Sequence, residues 1–190
     1  RRKFFGYVMQ DETLIPTLTV RESLRFAADL RRRPAAPLCA SPFCCLSRCC
    51  RACYGTYSEN ESLVDELLLL LDLKHVADQA VGSVSLRGIS GGERKRVAIG
   101  MEIICDPQVL LLDEPTTGLD AASAMKVMQV LNTIVRKHRR IVIATIHQPR
   151  SDIFRSLGGV TVVVPGGRGV YSGNADGAAP IPGIAPRTTP

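Results

Sequence analysis

The sequence predicts an α/β fold in which helices pack against a parallel β-sheet. Two observations carry this prediction. Short apolar segments alternate along the chain with amphipathic segments of helical period, and this order is typical of parallel strands joined by helices. Two of the apolar segments, 109–112 and 141–146, consist almost entirely of aliphatic residues, which predicts strands buried within a parallel sheet.

The first half of the chain is predicted to contribute one strand and two helices. Residues 4–9 are mostly aromatic or β-branched, which favours a strand. Thr19 and Glu22 have the spacing of a capping box, so we expect a helix over 20–32. The leucine-rich segment 62–73 predicts a second helix, and Ser62 and Asp65 suit its first turn.

Residues 34–58 break this pattern and are predicted to be a cysteine-rich insertion or mobile loop. Six of the chain's 7 cysteines lie in the segment 39–53. Clustering in one segment indicates reduced thiols rather than a disulfide scaffold spread through a core. A zinc site, reversible acylation close to a membrane and a tolerated surface insertion remain the alternatives for this cluster.

The second half of the chain alternates helices with the two aliphatic strands. Ser90 and Glu93 form another capping box ahead of an apolar stripe, and Pro107 should stop the helix that follows. Asp120 is predicted to cap a further helix, which ends at the basic pair 139–140.

Two short strands are expected over 160–164 and 170–171, on either side of a glycine turn. After them the composition changes to Pro, Ala and Gly, which predicts a disordered tail over 174–190. We therefore expect one folded domain over 1–173. Because the chain starts without methionine, inside a predicted strand, we also expect it to be an N-terminally truncated part of a longer polypeptide.

Composition narrows the classes of partner. The formal net charge is +6, and basic residues cluster in short runs such as 94–96. Such runs favour solvated faces over a phosphate-rich or membrane-surface partner. Tryptophan is absent and basic residues do not alternate with aromatic ones, so no nucleic-acid partner is predicted. No apolar run reaches the roughly 18 residues of a membrane span.

Asp113 and Glu114 are the strongest chemical signal in the sequence. The strand before them would deliver both carboxylates to the carboxyl edge of the sheet, where open α/β folds bind ligands. In P-loop nucleotide hydrolases the first carboxylate holds Mg²⁺, usually through water. The second can orient and deprotonate the attacking water. A simple turn that begins with an acidic pair is the alternative.

Ser90, Gly91 and Gly92 form a candidate anion site at a helix start. Small residues there leave backbone N–H groups open to an anion, and the helix dipole adds attraction. The Ser90 hydroxyl supplies a further donor. A plain capped helix after a glycine turn is the alternative.

His147 and Gln10 complete the set of candidate residues, because each follows a predicted strand. His147 would lie on the same sheet edge as Glu114, where it can hydrogen-bond a terminal phosphate and hold the base in place. The neutral amide of Gln10 can ligate Mg²⁺ and contact the attacking water. Each residue taken singly is also consistent with an ordinary loop.

Together these motifs resemble the ATP-binding cassette (ABC) family. Residues 89–96 resemble its signature motif, 109–114 its Walker B strand and 117–120 its D-loop. His147 resembles the switch histidine and Gln10 the glutamine of the Q-loop. The order and spacing make chance agreement improbable.

Two segments point further, to the G subfamily of white/brown-type half-transporters. These are Gly-Gly-Glu-Arg-Lys-Arg and the sequence His-Gln-Pro-Arg-Ser-Asp-Ile-Phe at 147–154. The resemblance covers residues 4–33 and about 59–173. It implies a P-loop NTPase-like ATPase domain with a parallel core sheet and a helical subdomain.

The resemblance also implies how such a domain works. Two domains would pair head to tail, with ATP and Mg²⁺ between them. The segment Ser90, Gly91, Gly92 and Glu93 would bind the partner's nucleotide, and Asp120 would contact the partner. Hydrolysis would drive a transmembrane domain, expected in the same full-length chain, that exports lipids, sterols or drugs. The domain would therefore lie at the cytoplasmic face of a membrane.

Two alternatives to this function remain. They are a non-transporting ATPase of the superfamily and a truncated cassette that only binds a partner.

One family element has no counterpart in the sequence. The phosphate-loop pattern Gly-x-x-x-x-Gly-Lys-Ser/Thr occurs nowhere, and no lysine follows a glycine. The family places this loop upstream of the Gln10 strand, so we attribute its absence to truncation. Without its backbone cradle, residues 1–190 alone are predicted neither to bind ATP tightly nor to hydrolyse it.

Overall fold

The computed structural model describes residues 4–31, 49–83 and 85–178, without the side chains of 49–59, 176 and 178. Much of the predicted cysteine-rich insertion therefore lies outside the described residues. The same holds for the predicted tail from residue 179 onward.

Three parallel strands form the central sheet and confirm the predicted fold class. They are β1 (Phe5–Val8), β2 (Val109–Leu112) and β3 (Ile141–Ala144), with β2 in the middle. Val8 pairs with Leu112, which in turn pairs with Ala144, so the three strands end level with one another. The residues that follow them therefore meet at one edge.

Six α-helices and a hairpin complete the described part of the chain. The helices are α1 (Val20–Arg31), α2 (Cys49–Leu70), α3 (Gly91–Ile103), α4 (Ala121–His138), α5 (Ser151–Arg155) and α6 (Ala175–Ala178). The antiparallel hairpin consists of β4 (Val160–Val164) and β5 (Arg168–Gly173), joined through Gly166 and Gly167 at φ values of 91° and 78°. Both values lie in the region that favours glycine.

One continuous apolar core joins the sheet to the helices. α1 contacts α2 and α3, and α3 also contacts α4 and β1. Leu24 of α1, Leu71 after α2 and Ile99 of α3 are fully buried, together with Leu110 of β2 and Val127 of α4. Helix α3 thus lies between the helical part of the molecule and the sheet. No helix of the described residues is long and apolar enough to cross a membrane.

The prediction that β3 is a buried strand is wrong. Ile141 and Ile143 are 59% and 56% exposed, and Phe5 and Tyr7 of β1 are 57% and 52% exposed. β3 is an outer strand of the sheet. The described helices cover only the face that carries Val142 and Ala144, opposite to Ile141 and Ile143. Its aliphatic composition alone does not reveal this one-sided cover.

Two segments predicted to be irregular contain helix. α2 begins at Cys49, so residues 49–58 are helical rather than part of a loop. Residues 49–70 contain no proline, the residue that most strongly breaks a helix. α6 follows β5 directly, and Ala175 is buried against Phe154. Residues 175–178, within the predicted tail, are therefore helical.

Candidate functional site

The carboxyl edge of the sheet gathers most of the predicted catalytic residues. Gln10 follows β1, Asp113 and Glu114 follow β2, and His147 follows β3. The backbone pairing continues one residue past the strands, since the N–H of Asp113 donates to the Val8 carbonyl at 2.9 Å. The edge is thus held by main-chain bonds.

Glu114 is the centre of this arrangement. Its Oε2 accepts one hydrogen bond from Gln10 Nε2 at 3.2 Å and another from the Thr117 hydroxyl at 2.9 Å. Its φ of 44° lies in the left-handed region, which costs a non-glycine residue about 1–2 kcal/mol. The backbone is therefore strained where the predicted base stands, and strain of this kind is common at functional sites.

Asp113 is held by two hydroxyl groups. Its Oδ1 accepts a hydrogen bond from Thr145 at 2.7 Å, and its Oδ2 lies 3.5 Å from the Tyr7 hydroxyl. Thr145 also accepts the backbone N–H of Glu114 at 3.0 Å. The sequence motifs gave no reason to single out Thr145, although its position directly after β3, level with Asp113, is a signal that strand pairing could have supplied.

His147 lies on the same edge but is not joined to the others. It is exposed and makes no hydrogen bond or ion pair to the part of the chain that the structure describes. Gln10 and Thr117 contact the Glu114 carboxylate instead. A role of His147 in holding the base therefore remains a prediction.

The basic run 94–96 is not a solvated face, contrary to prediction. Lys95 and Arg96 are only 3% and 2% exposed. The Lys95 ammonium donates to the carbonyl oxygens of Gln10 at 2.8 Å and Met9 at 3.4 Å, and pairs with Glu12 at 3.2 Å. A buried ammonium needs such partners. Lys95 therefore anchors the segment that carries Gln10 to helix α3.

Ser90 caps helix α3 through a complete capping box, as predicted. Its hydroxyl accepts the Glu93 N–H at 3.3 Å and donates to Glu93 Oε2 at 2.7 Å, while the Ser90 N–H donates to the same oxygen at 2.8 Å. His75 lies 3.0 Å from the other carboxylate oxygen. Burial raises the pKa of Glu93, but the hydrogen bonds from Ser90 and His75 outweigh it, and the pKa lies below its ordinary value.

Gly92 allows α3 and α4 to approach each other at their N-termini. A Cβ atom on Gly92 would lie 2.6 Å from the Ser123 Cβ, whereas one on Gly91 would meet nothing closer than 3.5 Å. Gly92 is therefore required by packing, a reason that the sequence did not indicate. The contact also places the first turn of α4 beside Ser90.

Asp120 caps helix α4, as predicted. Its carboxylate accepts the N–H groups of Ala122 at 3.1 Å and Ser123 at 3.0 Å. The side chain of Ser123 is the largest cause that lowers the pKa of Asp120, and the backbone N–H groups of Ser123 and Ala122 add to it, so the pKa lies below its ordinary value. Because Gly92 packs on Ser123, the caps Ser90 and Asp120 belong to one surface.

Comparison with known proteins identifies the family. The family model described as "ABC transporter" matches residues 1–117. The chain belongs to the ABC transporter family. Its curated relatives include ABC transporter G family member 22 of Dictyostelium discoideum, 39% identical over 91% of this chain. They also include the broad substrate specificity ATP-binding cassette transporter ABCG2 of Rattus norvegicus, 43% identical over 85% of the chain. These relatives confirm the resemblance to the G subfamily.

The chain corresponds to only part of these transporters. It spans 26% of the length of the Dictyostelium relative and 22% of the rat protein. Among solved structures, a dimeric post-hydrolysis state of the ATP-binding cassette MJ0796 bound to ADP and Pi aligns with 85% of this chain and 59% of its own. The TM-score is 0.58 at 24% identity, which supports the ABC ATPase fold.

The residues at the carboxyl edge of the sheet offer donor atoms that fit a magnesium ion. Asp113 and Gln10 offer carboxylate and amide oxygens, the hard donors that Mg²⁺ prefers. Within the described ranges, no three His, Cys, Asp or Glu side chains group to hold a metal ion. Such a group is not required, because Mg²⁺ in ATPase sites usually binds one or two carboxylates and completes its coordination with water and phosphate oxygens. The given sequence contains no phosphate-loop pattern that would hold the phosphates of a nucleotide.

Proposed function

We propose that the protein is the ATP-hydrolysing domain of a membrane ABC transporter that exports lipids or other hydrophobic compounds. The observation that carries the hydrolytic part of this proposal is the 3.2 Å hydrogen bond between Gln10 and Glu114, beside Asp113 at one sheet edge. The likeness to G-family transporters supports the part that concerns export. It brings together a metal ligand set and a carboxylate base from strands that are distant in sequence.

In this proposal the sheet edge serves the nucleotide bound by the same chain. Bound Mg²⁺ would neutralise phosphate charge, with Asp113 and Gln10 as its ligands. Glu114 takes the proton of the attacking water, which requires the carboxylate to be ionised and oriented. His147 would contact the terminal phosphate from the neighbouring strand end.

A second half-site would serve a nucleotide bound by a partner domain. Ser90, Gly91, Gly92 and Glu93 form the start of α3. The capping box satisfies the N–H groups of Ser90 and Glu93, whereas those of Gly91 and Gly92 lack helical partners and favour an anion. Asp120 lies on the same surface and would face the partner. The partner would be a second ABC nucleotide-binding domain in a homo- or heterodimer. The domain described here would lie at the cytoplasmic face of a membrane, and the transmembrane domain would belong to the same full-length chain.

Replacing the base tests the proposal. In the full-length protein, Glu114→Gln should lower ATP turnover by about 10²–10⁴-fold, because the amide cannot accept the proton of water. Binding of ATP, measured separately with a fluorescent analogue, should persist. Glu66→Gln, on an exposed position of α2, is the matched control and should keep full turnover.

Two results would count against the proposal. Unchanged turnover in Glu114→Gln would remove Glu114 as the base. Turnover by residues 1–190 alone, at the rate of the full-length protein, would show that hydrolysis needs neither a phosphate loop nor a partner half-site supplied from outside this segment.

A further inference from the structure

We infer that Thr145 is a positioning residue that fixes both acidic residues of the site through a single hydroxyl group, an inference that rests on the proposed function. Neither the sequence motifs nor the family resemblance assigns Thr145 a role. It directly follows β3, and its N–H donates to the Leu112 carbonyl at 3.0 Å. This main-chain bond places Thr145 beside Asp113 on the neighbouring strand.

The two hydrogen bonds of the hydroxyl are mutually consistent. A threonine hydroxyl has one proton to donate and two lone pairs to accept with. The Thr145 hydroxyl donates this proton in its hydrogen bond to Asp113 Oδ1, 2.7 Å away, because a carboxylate oxygen can only accept. A lone pair then accepts the Glu114 N–H at 3.0 Å. The carboxylate thus sets the direction of the hydroxyl, and the hydroxyl in turn sets the position of the Glu114 backbone.

The hydrogen bond from the Glu114 N–H to the Thr145 hydroxyl lies where the regular strand pairing has ended. Glu114 lies beyond Leu112, the last residue of β2 that pairs with β3, and its φ of 44° takes the chain out of the strand region. The Thr145 hydroxyl provides the partner that the ladder does not. On the other side of the residue, the Glu114 carbonyl accepts the Thr117 N–H at 3.2 Å. Hydrogen bonds therefore hold both the N–H and the carbonyl group of Glu114.

Threonine suits this task better than serine would. Its branched Cβ restricts χ1, so the hydroxyl has few alternative directions. Loss of the hydroxyl would free Asp113 on one side and Glu114 on the other. Because displacement of a reacting group by about 1 Å can cost about 10²-fold in rate, a hydroxyl that touches no substrate can still control turnover.

The test compares Thr145→Val, which keeps the shape and removes the hydroxyl, with Thr145→Ser, which keeps the hydroxyl. Thr133→Val is the matched control, since its hydroxyl donates to the Gln129 carbonyl within helix α4, away from the site. In the full-length protein, Thr145→Val should lower kcat by about 10–100-fold, with the KM for ATP changed less than about threefold. Thr145→Ser should recover kcat to within a few-fold of the natural protein.

Amide hydrogen exchange at Glu114 supplies a readout that does not need turnover. Exchange should become at least about tenfold faster in Thr145→Val and stay unchanged in Thr145→Ser. Natural kcat in Thr145→Val, or equal losses in the valine and serine variants, would overturn the inference. So would failure of Thr145→Val and Thr145→Ala to fold, since Thr145 would then be a structural residue. The natural protein and Glu114→Gln, measured alongside, report separately on the proposed function.

Discussion

The ammonium group of Lys95 lies 2.8 Å from the carbonyl oxygen of Gln10. This contact joins the two halves of the proposed machinery. Lys95 belongs to α3, the helix that Ser90 caps, and Gln10 contacts Glu114 at the sheet edge. A shift of α3 caused by a partner's nucleotide at Ser90 would therefore act on the segment that carries Gln10. The ammonium is buried, so Lys95 links α3 directly to that segment.

Replacing this lysine should destabilise the fold. Lys95→Met removes a buried charge and leaves two carbonyl groups without their donor. The Glu12 carboxylate then keeps only the more distant Arg94, at 3.8 Å, as an ion-pair partner. Breaking a buried pair by removing one partner costs about 3–5 kcal/mol, and we expect the lower end because Glu12 retains some solvent contact. Urea denaturation of the natural and variant proteins measures the loss.

Lys126→Met is the control for that experiment. The Lys126 ammonium pairs with Asp72 at 3.4 Å, but both side chains are more than half exposed. An exposed ion pair contributes about 0–1 kcal/mol, so the free energy of unfolding should change little. Equal losses in the two variants would contradict the role assigned to Lys95.

Ser90 and Thr19 allow capping to be separated from ligand binding. Both cap a helix through a capping box. Ser90 pairs with Glu93, and the Thr19 hydroxyl accepts the Glu22 N–H at 3.1 Å while the Thr19 N–H donates to the Glu22 carboxylate at 2.8 Å. Ser90→Ala and Thr19→Ala should each cost about 1 kcal/mol of stability. Only Ser90→Ala should also reduce ATP turnover, because only Ser90 is proposed to face a nucleotide. Parallel measurements of unfolding and hydrolysis decide this, and equal turnover in both would leave Ser90 as a cap alone.

Gly92 should tolerate alanine poorly, and the cause can be tested directly. An added Cβ would lie 2.6 Å from the Ser123 Cβ, so Gly92→Ala should cost about 1–3 kcal/mol through overpacking. Gly91→Ala has room and serves as the control. Adding Ser123→Gly should recover part of the loss in a double-mutant cycle of urea denaturation. Additive losses would show that the two positions do not meet.

The sequence was sufficient to predict most elements of the fold. The limits of β2 agree with the prediction to the residue, because four aliphatic residues stand between Pro107-Gln108 and an acidic pair. The caps Ser90, Asp120 and Thr19 were predictable because a helix start depends on neighbouring residues alone. Element type and capping are local properties, and local sequence encodes them.

What the sequence did not reveal depends on contacts between distant segments. Lys95 looks like a surface charge until β1 brings the Gln10 carbonyl to it. The exposure of Ile143 depends on which face of the sheet the helices cover. The role of Gly92 depends on the approach of Ser123, and that of Thr145 on strand register. In each case the partner lies far along the chain, where neither periodicity nor motif spacing indicates it.

Glu93 should make part of the stability depend on pH. Hydrogen bonds from Ser90 and His75 outweigh burial and hold the pKa of Glu93 below the ordinary value of about 4.3. The folded protein therefore binds a proton at Glu93 less readily than the unfolded chain does. The stabilisation is fully present above the unfolded pKa and is lost as the pH falls through the folded pKa. Glu93→Gln should consequently lower the free energy of unfolding at pH 7, and this deficit should shrink toward about pH 4 and below.

Urea denaturation at pH 7 and at about pH 4 measures the two deficits, with Glu66→Gln on the exposed side of α2 as the control that should differ little from the natural protein at either pH. The informative result is whether the deficit grows or shrinks as the pH falls. A deficit that grows on acidification would mean that the proton binds more readily to folded Glu93, and hence that burial, rather than the Ser90 and His75 hydrogen bonds, dominates its surroundings.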